Sequence, residues 1–265
     1  AKTGAQPKDL CCCCDLFSFV LLPILFWLAS CMFVIPIGVC SNRRLLFKTT
    51  ATILVLMSSS SNKEYTVPWT AQQADVYAEK YGEYDTNRLG IDALIEGNHI
   101  PKSGTVVDVG CGTGCALREL EKRQSNLKLI GIDAVPRMVE IAKEKSKDTK
   151  IAFHHGFIQD ISSVETNAAN LVLAFDVLDH LETIEDRQVA LSELYRILDT
   201  TADDDNNSRL AIVKDGGIED SDEETRKANQ DALKNANFEV IEEQLVQKDD
   251  VEFHFSVWKP TKKDS

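Results

Sequence analysis

The chain has 265 residues, room for one sizeable domain and an appendage. Its 42 Asp and Glu outweigh 29 Lys and Arg, and the net charge of −13 offers no electrostatic footprint for nucleic acid. Of eight cysteines only Cys111 and Cys115 lie beyond the first 40 residues, and they form no C-x-x-C ligand set, so neither a zinc site nor a disulfide scaffold is indicated there.

Residues 1–57 read as a hydrophobic leader, net basic where the rest is acidic. The acidic remainder reads as a solvated surface, or as a preference for cationic or neutral substrates. Residues 16–42 carry no charge and are long enough to cross a hydrocarbon core. Pro23 and Pro36 are tolerable in a membrane helix. Arg43, Arg44 and Lys48 follow and would hold the C-terminal side in the cytoplasm; Lys2 and Lys8 pull the other way. The expected arrangement is a membrane-anchored chain with a cytoplasmic catalytic domain. Other readings stay open: a lipoprotein box ending at Cys31, S-acylation of Cys11 to Cys14, or translation from Met57, which would leave the protein cytoplasmic. Residues 58–65 read as a short linker.

The domain, residues 66–260, begins with a helical pattern over 70–82. Thr70 is its N-cap, and Gln73 completes a capping box. Tyr77, Tyr81 and Tyr84 share one face, either packed on a sheet edge or forming a lid. Arg88, within 87–95, suits a surface salt bridge or a ligand carboxylate. Val106, Val107 and Val109 then make a short buried strand, and Gly110, Gly112 and Gly114 let the backbone turn tightly beside a ligand. Cys111 fills a small-residue slot in that turn, and a thiol kept there suggests a reducing compartment. The next helix turns Ala116, Leu117 and Leu120 inward and Arg118, Glu119 and Glu121 outward.

A second strand over 128–133 ends in Asp133, about twenty residues past the glycine turn, the offset at which an acid accepts from ribose hydroxyls. Asp133 equally suits the N-terminus of the helix over 135–147. A third strand covers 151–156, with His154 and His155 on opposite faces and no ligand-spaced partner. A fourth covers 170–175, and a helical turn after it would gather Asp176, Asp179 and His180. A helix over 185–199 turns Val189, Leu191, Leu194, Ile197 and Leu198 inward. An acidic loop, a strand over 209–213 and a helix over 221–235 capped by Ser221 come next. Strands over 238–247 and 251–260 close the domain as an antiparallel hairpin.

The turn D-V-G-C-G-T-G, with Cys115 where a dinucleotide enzyme has its third glycine, resembles motif I of class I S-adenosylmethionine (SAM)-dependent methyltransferases. The run ANLVLAFDVLDHLETIEDRQVALSELYRIL resembles the family's segment around the fourth strand. The likeness covers residues 66–259. It implies an α/β, Rossmann-like, doubly wound, mostly parallel seven-stranded sheet. It also implies that Gly110, Cys111, Gly112 and Gly114 admit the methionyl end of SAM, with Asp108 fixing it. Asp133 would take the ribose with Ala134 beside it, Met138 would pack on adenine, Asp160 would accept from its amino group, and the Ile161 amide would reach the ring. The methyl would face residues 175–180, beginning with Phe175. Relatives with Glu-x-x-Glu-His there hold a divalent metal and others do not, so no metal is assigned. His180 and Asp176 are the candidate catalytic pair, with His180 as general base. No Asn/Asp-Pro-Pro-Tyr motif follows the fourth strand, which together with the acidity favours a small-molecule acceptor. A protein acceptor and a catalytically silent partner subunit remain as alternatives, and the oligomeric state is not encoded legibly.

Overall fold

In a computed structural model of the protein, the residues described are 65–67, 69–201, 208–215, 223–248 and 250–262. The expected membrane segment 16–42, most of the linker and the Ser221 cap lie outside them. Among the described residues no helix is long and apolar enough to cross a membrane.

Seven strands form one mixed sheet in the order β3-β2-β1-β4-β5-β7-β6. They are β1 (Gly104–Val109), β2 (Leu127–Asp133), β3 (Ala152–His155), β4 (Leu171–Phe175), β5 (Arg209–Asp215), β6 (Phe238–Lys248) and β7 (Val251–Pro260). The first five run parallel, and β7 joins β5 and β6 antiparallel. The sheet is buried on both faces, which is why β1 and β4 read as continuous apolar runs rather than alternating ones. One core cluster holds Val106, Leu129, Leu173 and Phe255 with Leu89 and Leu94 of α2 (Asp85–Glu96) and Leu117 and Leu120 of α3 (Cys115–Arg123). The opposite cluster holds Val107, Ile132, Val172 and Trp258 with Leu191 and Leu194 of α5 (Ile184–Ile197) and Leu233 of α6 (Glu223–Asn235).

Two side chains depart from the expected helix faces. Val189 is 39% exposed, and Ala190 takes the inward place beside Leu191. The other expected inward positions, Leu191, Leu194, Ile197 and Leu198, are buried. Arg118 does not point out to solvent; its side chain is 12% exposed and folds back toward the glycine turn.

The capping box of α1 (Ala71–Tyr81) forms as expected, with Gln73 N–H donating to Thr70 Oγ1 and Thr70 N–H to Gln73 Oε1. This helix packs through Ala74 and Ala78 against Val135, Met138 and Ile141, the last two on α4 (Pro136–Lys145). Tyr77, Tyr81 and Tyr84 form a row of ring contacts beginning at Trp69. Arg88 pairs with Asp85 and Asp92 on its own helix.

Candidate functional site

Strand order reverses between β1 and β4, since β1 leads to β2 on one side while β4 leads to β5 on the other. A crevice opens beyond the carboxyl ends of strands at such a point. The glycine turn lies there. Gly110 N–H and Cys111 N–H both donate to Ile132 O, at 2.8 and 3.0 Å, tying the turn to the end of β2. Gly110 has φ +75°, and a Cβ on it would come within 2.6 Å of Val177. Gly112, at φ +51°, has no atom within 4 Å of where its Cβ would be. The first glycine thus lets two loops touch, and the second leaves backbone open to a ligand.

Asp133 is 8% exposed and braces this turn. Its Oδ2 accepts from Gly112 N–H and its Oδ1 from Val135 N–H, each at 2.8 Å. Each oxygen keeps acceptor capacity for a further donor. Burial pushes its carboxyl above the usual range, while the two amides and the nearby His155 and His180 favour ionisation. Asp108 sits deeper, 2% exposed. Burial, then the charge of Asp133, pushes its carboxyl up to about 8. Burial also pushes both thiols up, Cys115 to about 12, which disfavours the nucleophilic thiolate.

The remaining expected contacts fall unevenly. Ala134 borders the crevice, its carbonyl 3.1 Å from His155 Nε2. Met138 is buried at 3% in the α1–α4 cluster. Asp160 is exposed after a turn in which its N–H donates to Phe157 O. Ile161 differs from expectation: its amide donates to Glu193 Oε2 at 3.0 Å, so it is already engaged. Arg196 completes that clamp by donating to Ile161 O and Val164 O. Phe175 is buried at 6% against Gly90 of α2. Asp176 is not in a helical turn; it has φ +52°, and only Leu178–His180 form a short 3-10 turn. Asp179 pairs with Lys214 at 3.6 Å, and His180 is exposed. Among the described residues no group of three or more His, Cys, Asp or Glu is placed to hold a metal.

A network around Arg118 was not legible in sequence. Arg118 donates to Thr113 O, Thr113 Oγ1 donates to Gly82 O, and Glu83 joins Arg118 and Lys145 at 2.6 and 2.9 Å. It fastens the end of α1 to the glycine turn. Its members come from three separate segments, and only the four-residue step from Gly114 to Arg118 hints at it.

Residues 106–201 match a family model described as "Methyltransferase domain". The carboxy-S-adenosyl-L-methionine synthase of Nautilia profundicola is 35% identical over 91 residues, which are 33% of this chain and 38% of that protein. The matched stretch therefore spans well under half of that relative's length. Among solved structures, a TehB-like SAM-dependent methyltransferase from Corynebacterium glutamicum superposes with a TM-score of 0.55 at 19% identity, over 72% of this chain and 100% of that one. The magnesium protoporphyrin IX methyltransferase of Synechocystis PCC 6803, solved with bound SAM, superposes at 0.51 with 15% identity, over 83% and 100% of the two chains. At such identities the structures speak for the fold, and the sequence match speaks for the domain. Residues 106–201 thus carry a methyltransferase domain, within a sheet that has the fold of SAM-dependent methyltransferases.

Proposed function

We propose that the chain transfers the methyl group of SAM to a small-molecule acceptor, and that residues 16–42 anchor it in a membrane. The observation that carries the first part is the pairing of open Gly112 with the Asp133 carboxylate at the switch point. Together they set open backbone beside a carboxylate, which a nucleoside can approach. When bound, SAM supplies an activated sulfonium methyl, so the protein's main task is alignment. Gly110, Gly112 and Gly114 would admit the methionyl end, Asp108 would meet its ammonium group, and Asp133 would hold the ribose. Phe175 and the turn after it would wall the reacting side. His180, exposed beside that wall, would accept a proton from an acceptor that arrives protonated.

Calorimetry with S-adenosylhomocysteine is the direct test. Micromolar or tighter binding is expected for the wild type, with NAD giving no heat. An acceptor screen with methyl-labelled SAM then tests turnover. Binding of NAD in place of the homocysteine product would sink the reading.

A further inference from the structure

A second cleft lies beside the crevice, between the 3-10 turn, α5, α6 and the β5–β7 ladder. Its cavity volume is about 120 Å³. Val177 joins the two spaces: it lines the cleft and also presses on Gly110 of the glycine turn. The floor is apolar, with Trp258, Leu191 and Leu233 all nearly or fully buried. Ile212 pairs with Ser256 and Lys214 with His254 across the ladder, so these four side chains stand on the same sheet face toward it.

The polar groups on the walls are mostly matched. Asp179 is paired with Lys214 at 3.6 Å, and Glu243 accepts from Gln230 at 2.7 Å. Asp176 and His254 have other interactions. Arg187, half-buried on the first turn of α5, is different. Its Nε donates to Leu181 O at 3.1 Å, which fixes the plane of the guanidinium. Its two terminal nitrogens make no hydrogen bond or ion pair with any described residue. A fixed guanidinium with both terminal nitrogens free suits bidentate capture of a carboxylate.

We propose that this cleft takes the methyl acceptor and that Arg187 binds a carboxylate on it, the apolar body of the molecule lying over Trp258 and Leu191. The inference rests on the methyltransferase reading above and narrows it to carboxylate-bearing acceptors. The acidic walls add selectivity. An acid whose charge cannot reach Arg187 meets Asp176, Asp179 and Glu243 instead, so a bare charge gains nothing without the right reach.

The test compares phenylacetate with phenylacetamide, molecules of nearly the same shape that differ in charge. Ligand-observed NMR titrations use protein saturated with S-adenosylhomocysteine, whose own affinity is measured first. Phenylacetate is expected to bind about tenfold or more tightly than the amide, an advantage of about 1.4 kcal/mol. Arg187→Met should erase that preference, Arg187→Lys should keep part of it, and both should leave the S-adenosylhomocysteine affinity and the melting temperature near wild type. Equal binding of acid and amide overturns the proposal, as does undetectable phenylacetate or a preference surviving in Arg187→Met. Failure of S-adenosylhomocysteine to bind would count against the cofactor reading alone, because the acid–amide comparison can be made on ligand-free protein.

Discussion

Asp108 and Asp133 lie at the carboxyl ends of adjacent strands, and their burial sets two expectations. Asp108 is held at about 8 when folded, against an ordinary value of 3.8. Between those values the native chain keeps a proton that the unfolded chain has lost. Stability contributed by the neutral carboxyl therefore falls as pH rises from about 4 toward 8, then levels off. Asp108→Asn should flatten that fall and raise the melting temperature at pH 8; melting curves across this range decide it, and parallel curves for the two proteins would contradict the assignment. Asp133→Ala removes the acceptor that braces Gly112, so the Kd for S-adenosylhomocysteine should rise at least about tenfold by calorimetry. The places of both acids at the ends of β1 and β2 are legible in the sequence, because apolar runs lead into them. The partner of the Ile161 amide, Glu193, lies 32 residues away on α5. No local pattern announces that pairing.

Strand β3 shows how an element can be shaped by what faces it. Phe153 reaches over β2, and a Cβ on Gly131 would fall 2.6 Å from its ring and 2.9 Å from Cys111 Sγ. Gly131→Ala is therefore expected to destabilise the protein by about 1–3 kcal/mol in urea unfolding. Phe153→Leu should recover part of that loss in the double variant, which a double-mutant cycle measures directly. Simple additivity would mean that the ring is not the obstacle. At the other edge, Thr70→Ala removes the cap of α1 and should cost about 1 kcal/mol, with faster amide exchange confined to that helix. Elements with local signals were predicted well: valine runs for β1 and the capping box for α1. Elements fixed by distant packing were not. Asp176 adopts φ +52° where the chain leaves β4, a conformation that helical spacing does not foresee. Arg118 was assigned to solvent because a charge on the apparent polar face usually belongs there. Here Glu83 and the Thr113 carbonyl draw it back.

At the scale of the molecule, the parallel strands and the closing antiparallel pair place crevice and cleft at the same end of the sheet. The chain order of strands made that arrangement inferable, whereas the cleft needs contacts among six elements and left no trace in any one of them. Charge separates the molecule further. Past residue 57, acids outnumber bases 40 to 24, whereas the leader has five bases and two acids. An acidic domain is repelled by anionic lipid headgroups, so its own surface gives it no reason to stay at a membrane. The proposed anchor is residues 16–42, a stretch without charge and long enough to span. The full chain, expressed in cells, should pellet with membranes and resist alkaline carbonate, while a version starting at Ser58 should stay in the supernatant and bind S-adenosylhomocysteine with the same Kd. Release of the full chain by carbonate would exclude a spanning anchor and leave peripheral attachment. A weaker Kd in the shortened version would instead mean that the leader contributes to the crevice, which a purely mechanical anchor does not.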